Sequence, residues 1–187
     1  MGVPKLLSTP PPADAMTPGA LWRAFRRIPA GVTVAATTVD DRSVGMVVSS
    51  FTFVSMDPPL VGFFGDDRST TFPAFLEGHG WGFSVLAQGE EEVADAFRRP
   101  VEERFADLSY SVQSSGAVLL DDALIGFDTA PHQVVPTGDH RLVLAEVSNY
   151  VMRPRCDRPM IYYEGRLSRL DQRPLIDDDH WDRFWDE

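Results

Sequence analysis

Asp57-Pro58-Pro59 sets the first hard limit on how this chain can fold. Proline has no N–H to give a sheet ladder or a helix interior, so the β-rich run from Val44 to Val54 breaks at the prolines. A second strand, Leu60 to Phe64, follows at once. Within the run GMVVSSFTFVSMDPPL, Gly45 to Leu60, the apolar pattern is interrupted by two adjacent serines, Ser49 and Ser50. Neighbouring strand residues face opposite sides of a sheet, and a hydroxyl on a buried face needs a partner. The pair therefore marks either a small-molecule site or serines that pair across strands and bind nothing.

The same reading extends along the chain. The β-branched residues of Val32 to Thr37 predict a strand, Asp40-Asp41-Arg42-Ser43 a turn, and Val44 onward the returning strand of an antiparallel hairpin. Further strands are predicted at Trp81 to Leu86, Leu124 to Val135 and His140 to Val151. Ile161 and Tyr162 begin a last short strand that Gly165 ends. Thr17 as N-cap and Pro18 at the first helical position start a helix whose Leu21, Trp22, Phe25 and Ile28 share one side, so it should cover a sheet. A short helix is predicted near Phe72 to Glu77. Another spans Glu90 to Arg99, with Val93, Ala96 and Phe97 as its apolar stripe and acids at its N-terminal end. No βαβ rhythm repeats, which argues against a Rossmann domain and for an antiparallel β-barrel with flanking helices, an α+β fold.

At 187 residues and 43% hydrophobic composition the chain has material for one domain with a full core, here residues 17–170. Residues 1–16, with Pro10-Pro11-Pro12, read as a disordered leader. Residues 171–187 read as an acidic tail, seven acids against two arginines, in which Trp181, Phe184 and Trp185 mark a short amphipathic helix. A net charge of -11 argues against a nucleic-acid partner, which needs a basic surface. No apolar stretch reaches membrane-spanning length and the N-terminus lacks signal-peptide order, so no membrane role and a cytoplasmic location are expected. Cys156 is the only cysteine, which excludes an intrachain disulfide and a thiolate metal site and fits a reducing compartment. No histidine and carboxylate set has ligand spacing, so no metal is expected.

Four segments together, IPAGVTVAATT (Ile28 to Thr38), Gly45 to Leu60, TGDHRLVLAEV (Thr137 to Val147) and RPMIYYEGRL (Arg158 to Leu167), resemble the flavin reductase-like family over roughly residues 20 to 170. The resemblance implies an antiparallel split barrel of the FMN-binding type. It also implies an NAD(P)H-dependent flavin reductase, in which hydride passes from nicotinamide to FMN or FAD. Reduced flavin would leave for a separate flavin-dependent monooxygenase, and the reductase would be a homodimer.

The resemblance also implies a site. Met46, Val47, Val48, Ser49 and Ser50 would line the flavin, because strand backbone and serine satisfy a pyrimidine edge without adding charge. The polar loop Asp66 to Phe72 would receive the flavin phosphate through Arg68, Ser69, Thr70, Thr71 and free amides of the following helix. His140 of Gly138-Asp139-His140 would face the ring where nicotinamide stacks, with Asp139 orienting the turn or the imidazole. Read alone, that tripeptide is a hairpin turn opening a strand. Tyr162, Tyr163 and Arg166 would lie beside the nicotinamide, as stacking faces and a phosphate partner. Arg98 and Arg99 read as a solvated helix end. The chain departs from the family pattern at Val47-Val48, where the resemblance implies a threonine or alanine pair, at Asp66-Asp67, where it implies a lysine near the start of the loop, and at Glu164, where it implies an arginine. These departures leave open a repurposed biosynthetic enzyme on the same fold, or a non-enzymatic flavin-binding protein.

Overall fold

The computed structural model describes residues 16–152 and 158–169. The leader expected over 1–16, apart from Met16, and the acidic tail over 171–187 lie outside the described residues. The strands are β1 Ala30–Gly31, β2 Thr33–Val39, β3 Arg42–Val48, β4 Thr52–Met56, β5 Pro59–Asp66, β6 Trp81–Val85, β7 Tyr110–Val112, β8 Val118–Leu120, β9 Ile125–Thr137, β10 His140–Met152, β11 Ile161–Tyr163 and β12 Arg166–Ser168. The helices are α1 Pro18–Phe25, α2 Phe72–Leu76 and α3 Glu91–Ala96.

Local chemistry accounts for most of these boundaries. Thr17 caps α1 and accepts the Ala20 N–H on its side chain, with Pro18 in the first turn. The β2–β3 hairpin closes through Asp40 and Asp41 at φ 48° and 60°, the twist that favours tight hairpins. Gly138 at φ 76° does the same between β9 and β10, and Glu164 and Gly165, at 50° and 83°, between β11 and β12.

A seven-stranded sheet in the order β3-β2-β6-β9-β10-β5-β4 forms the frame, with every neighbouring pair antiparallel. Strand β2 is buried on both faces, and its alternation feeds two cores. Val34 and Ala36 join Phe97, Phe105, Val118 and Met160 under α3 and β8. Ala35 joins Val48, Phe63, Phe72, Phe75, Trp81 and Phe83 inside the curled sheet. There Phe63 meets Phe72, Phe75 and Phe83 edge to face at 5.7–6.0 Å.

Two expectations are corrected. The run Val44 to Val54 is not one strand, because β3 stops at Val48 and the β pattern resumes at Thr52 in β4, which pairs with β5. Between them the Ser50 hydroxyl accepts the Phe64 N–H at 2.9 Å and donates to the Phe64 carbonyl at 3.3 Å. The chain is thus stitched to β5 across the open seam of the sheet, where β3 packs beside β5 without a ladder. This is the split of a split barrel, as expected. The second correction concerns α1, which buries none of its residues and covers no sheet. Trp22, Phe25 and the following Ile28 remain 60%, 58% and 65% exposed.

Candidate functional site

A cleft of ≈ 610 Å³ opens where α1, the end of β3, the β5–α2 loop, α3 and the β11–β12 hairpin meet. The end of β3 supplies Met46, Val47 and Ser49, the loop supplies Arg68, Ser69, Thr70 and Thr71, and β11 supplies Tyr162. All of these were expected from the sequence. Val32, Ala94, Phe97 and Leu167 complete the apolar wall, and Trp22 stands at the rim. The size falls within the range of small-molecule sites.

The remaining expected residues lie elsewhere. Strand alternation turns Val48 into the inner core, 7% exposed, while Val47 and Ser49 face the cleft. The Ser50 hydroxyl is committed to Phe64. Tyr163 and Arg166 are exposed on the last hairpin and do not line the cleft. His140 opens β10 directly opposite Asp66, the last residue of β5, so it neighbours the polar loop without lining the cleft. Asp139 does orient the imidazole: its Oδ1 lies 2.7 Å from His140 Nδ1, and this contact lowers the Asp139 pKa. With Nδ1 so engaged, Nε2 is the ring atom left for other partners.

The two loop acids that a phosphate would meet are each spoken for. Asp66 accepts the Arg68 backbone N–H at 2.9 Å and its guanidinium at 3.0 and 2.8 Å, and this clamp lowers the carboxyl pKa to about 2. Asp67 accepts Arg141 Nε at 2.6 Å. Two of the amides expected to be free at the start of α2 are engaged within the loop, because Ser69 Oγ accepts the N–H groups of Thr71 and Phe72 at 3.3 and 3.2 Å.

Arg104 was missed by sequence reasoning. It follows the 3-10 turn Val101–Glu103 and enters the cleft wall beside Arg98. Its Nε donates to the Arg99 carbonyl at 3.1 Å, and its Nη1 to the Gly45 carbonyl at 2.8 Å and to Thr71 Oγ1 at 2.9 Å. Burial lowers its pKa from the ordinary guanidinium value. The segment VEERF reads as a charged surface turn, and only Phe105, packed in the core, hints that its neighbour is fixed. Arg98 lines the cleft paired with Asp95, whereas Arg99 pairs with Asp107 away from it.

Residues 25–171 match the family described as flavin reductase like domain. The chain belongs to the flavin reductase like family. That match spans every cleft residue except Trp22, which precedes it. Among relatives in this flavin reductase like family is an NADH:FMN oxidoreductase of Rhodococcus qingshengii. It is 30% identical over 171 residues, covering 89% of each chain. The NADH:FAD oxidoreductase of Streptomyces globisporus C-1027, solved with NAD and FAD fragments, is 29% identical with a TM-score of 0.78 over 85% of this chain and 96% of that one. The flavin reductase component of a bacterial two-component tryptophan halogenase is 28% identical with a TM-score of 0.75, over 83% of this chain and 99% of that one.

Proposed function

We propose that the protein is an NAD(P)H-dependent flavin reductase that delivers reduced FMN or FAD to a separate flavin-dependent monooxygenase. The observation that carries this reading is the cleft, where segments far apart in sequence bring an apolar wall and a cluster of hydroxyl and guanidinium donors together. A flavin fits this donor set. Val32, Met46, Val47, Ala94, Phe97 and Leu167 suit an apolar ring, while Ser49, Ser69, Thr70 and Thr71 suit the polar chain and phosphate. The bound flavin would supply the redox chemistry, taking up the hydride that reduced nicotinamide gives. The protein binds, orients and excludes water from the reacting faces.

His140 is the proposed catalytic residue, its ring held by Asp139 so that Nε2 can hydrogen-bond a nicotinamide amide or a developing negative charge. Tyr162 is proposed to bound the flavin, with Tyr163 and Arg166 on the adjoining face for nicotinamide. Pairing of Asp66 with Arg68 and of Asp67 with Arg141 removes the repulsion those acids would exert, which favours a retained phosphate site over a repurposed one. The partner oxygenase is supported by the relative that is the reductase component of a two-component halogenase. A homodimer is supported by large apolar side chains left exposed on β4 and β10. A cytoplasmic location is supported by the lone cysteine, and among the described residues no helix is long and apolar enough to cross a membrane.

The deciding experiment follows NADH and NADPH oxidation by purified protein with FMN or FAD added. Turnover of added flavin establishes the reductase and names both cofactors. Flavin binding without turnover would replace this reading with a flavin carrier.

A further inference from the structure

Helix α1 leaves an apolar row open beside a cluster of cations. Trp22 and Phe25, three positions apart, share one side of the helix, and Ile28 follows, all more than half exposed. Arg23 in the last turn, with Arg26 and Arg27 just after it, frames a recess of ≈ 520 Å³ against Glu164. Arg26 and Arg27 are held by Glu164, whereas Arg23 is exposed and pairs with no described carboxylate. No acid stands between Met16 and Pro29. The face is therefore basic on a chain whose net charge is -11.

A second copy of the same face is a poor occupant. Pairing about a two-fold axis would bring the three arginines towards their own copies, and like charges across an interface repel. Residues 1–15 balance Lys5 against Asp14 and hold no aromatic residue, so they offer neither charge nor rings. The acidic segment 171–187 offers both. Seven acids oppose two arginines there, and Trp181, Phe184 and Trp185, at spacings of three and four, repeat the pattern of Trp22 and Phe25 on α1. Asp178, Asp182 and Asp186, four apart, flank those rings at helical spacing.

The segment also has the reach. The β11–β12 turn at Glu164 is bonded to α1, and Arg169, just past β12, pairs with Glu91 of α3 at 3.0 Å. From there residues 170–180 can span about 40 Å when extended, against roughly 12 Å for the length of α1. We propose that segment 171–187 docks on α1 of its own chain, with Trp181, Phe184 and Trp185 against Trp22, Phe25 and Ile28 and the carboxylates beside Arg23, Arg26 and Arg27. The tether keeps the segment at high local concentration, so contacts too weak to hold a separate peptide suffice. Because Trp22 also stands at the cleft rim, the docked segment borders the mouth of the cleft.

Fluorotryptophan is incorporated into the full-length protein, and the fluorine NMR signals of Trp22, Trp81, Trp181 and Trp185 are assigned by replacing each in turn with phenylalanine. The shift of each signal between water and deuterium oxide reads its exposure. In the wild type Trp22, Trp181 and Trp185 should all shift well less than free fluorotryptophan, at every protein concentration. Trp181→Ala combined with Trp185→Ala should return Trp22 to the free value. Arg23→Glu sets a carboxylate against the acidic segment and should weaken docking about tenfold, moving Trp22, Trp181 and Trp185 together towards the free value. Trp81, 2% exposed in the core, should keep its signal in every variant and so reports an intact fold.

A wild-type Trp22 that shifts like the free amino acid overturns the proposal, as does a Trp22 that stays protected when Trp181 and Trp185 are replaced. Protection of Trp22 that is lost on dilution would give the α1 face to a second copy and overturn it as well. Signals of Trp181 and Trp185 that Arg23→Glu leaves unchanged would seat the segment elsewhere, with the same result. If the double tryptophan variant disturbs Trp81, Arg23→Glu decides by the same signals.

Discussion

Asp66 shows how one carboxyl can reverse the meaning of a sequence motif. In the sequence it stands where a phosphate would be repelled, yet Arg68 reaches back two residues and holds both of its oxygens. Hydrogen bonding to the charged form lowers its pKa from the usual 3.8 to about 2, with the Arg68 side chain as the largest cause. A depressed carboxyl stabilises the fold above its unfolded pKa, and that contribution fades as pH falls from about 4 through about 2. NMR titration of the Asp66 carboxyl should therefore show a midpoint near 2, and Arg68→Gln should return it towards 3.8. A midpoint near 3.8 in the wild type would mean the clamp is not formed in solution. His140 permits a second test at this scale, since its ring is partly exposed and its side chain contacts its own neighbour Asp139. His140→Ala should lower NADH-dependent flavin reduction on the order of a hundredfold. Its melting temperature should move by about 2 °C or less. Equal loss of fold and activity would make His140 structural.

Among the elements, α1 is held in place by polar contacts more than by burial. The Arg26 and Glu164 backbones bond to one another, the Arg26 side chain donates to the Glu164 carbonyl, and Arg27 Nε lies 3.2 Å from Glu164 Oε1. Glu164 thus ties α1, whose Trp22 stands at the rim of the cleft, to the last hairpin. An exposed ion pair of this kind adds about 1 kcal/mol or less to stability. Trp22→Ala should weaken flavin binding about three- to tenfold through lost aromatic contact while barely moving the melting temperature. Calorimetry of flavin binding checks this, and unchanged affinity would leave Trp22 without a part in the site. The elements that the sequence made legible share one property: short-range chemistry decides them. Thr17-Pro18 starts α1, Asp40-Asp41 and Gly138-Asp139 turn hairpins, and the alternation of Ile125–Thr137 and His140–Met152 makes strands. What stayed hidden depends on partners far along the chain. The break at Ser49–Phe51 comes from Ser50 meeting Phe64, and the β7–β8 hairpin carries its apolar face on strands only three residues long. Arg104 is placed by Gly45, 59 positions away. The site was legible where it follows strand and loop motifs, and illegible where a charge is positioned from across the fold.

At the scale of the whole molecule, an apolar sheet edge exposed among the described residues is the dominant feature. Strand β4 is an edge strand, and Phe53, Val54 and Met56 on it are 49%, 41% and 69% exposed with no charge or proline among them. Natural edges are usually blunted by such residues or covered. Beyond the register where β10 pairs with β5, its end runs on beside β9 alone, with Tyr150, Val151 and Met152 each at least 60% exposed. Large apolar side chains gathered on an edge and an overhanging strand fit a self-complementary interface, in which one patch meets its own copy about a two-fold axis. The protein should therefore elute as a dimer, with a mass twice that of the chain by light scattering. Met56→Arg and Val151→Asp place like charges against their own copies across such an axis, and each should shift the equilibrium to monomer at micromolar concentration. Because neither residue lies in a core, the monomer should stay folded by circular dichroism. A dimer that survives both substitutions but dissociates with Phe25→Asp would move the interface to the exposed face of α1, and a wild type that is monomeric at every concentration would refute the dimer.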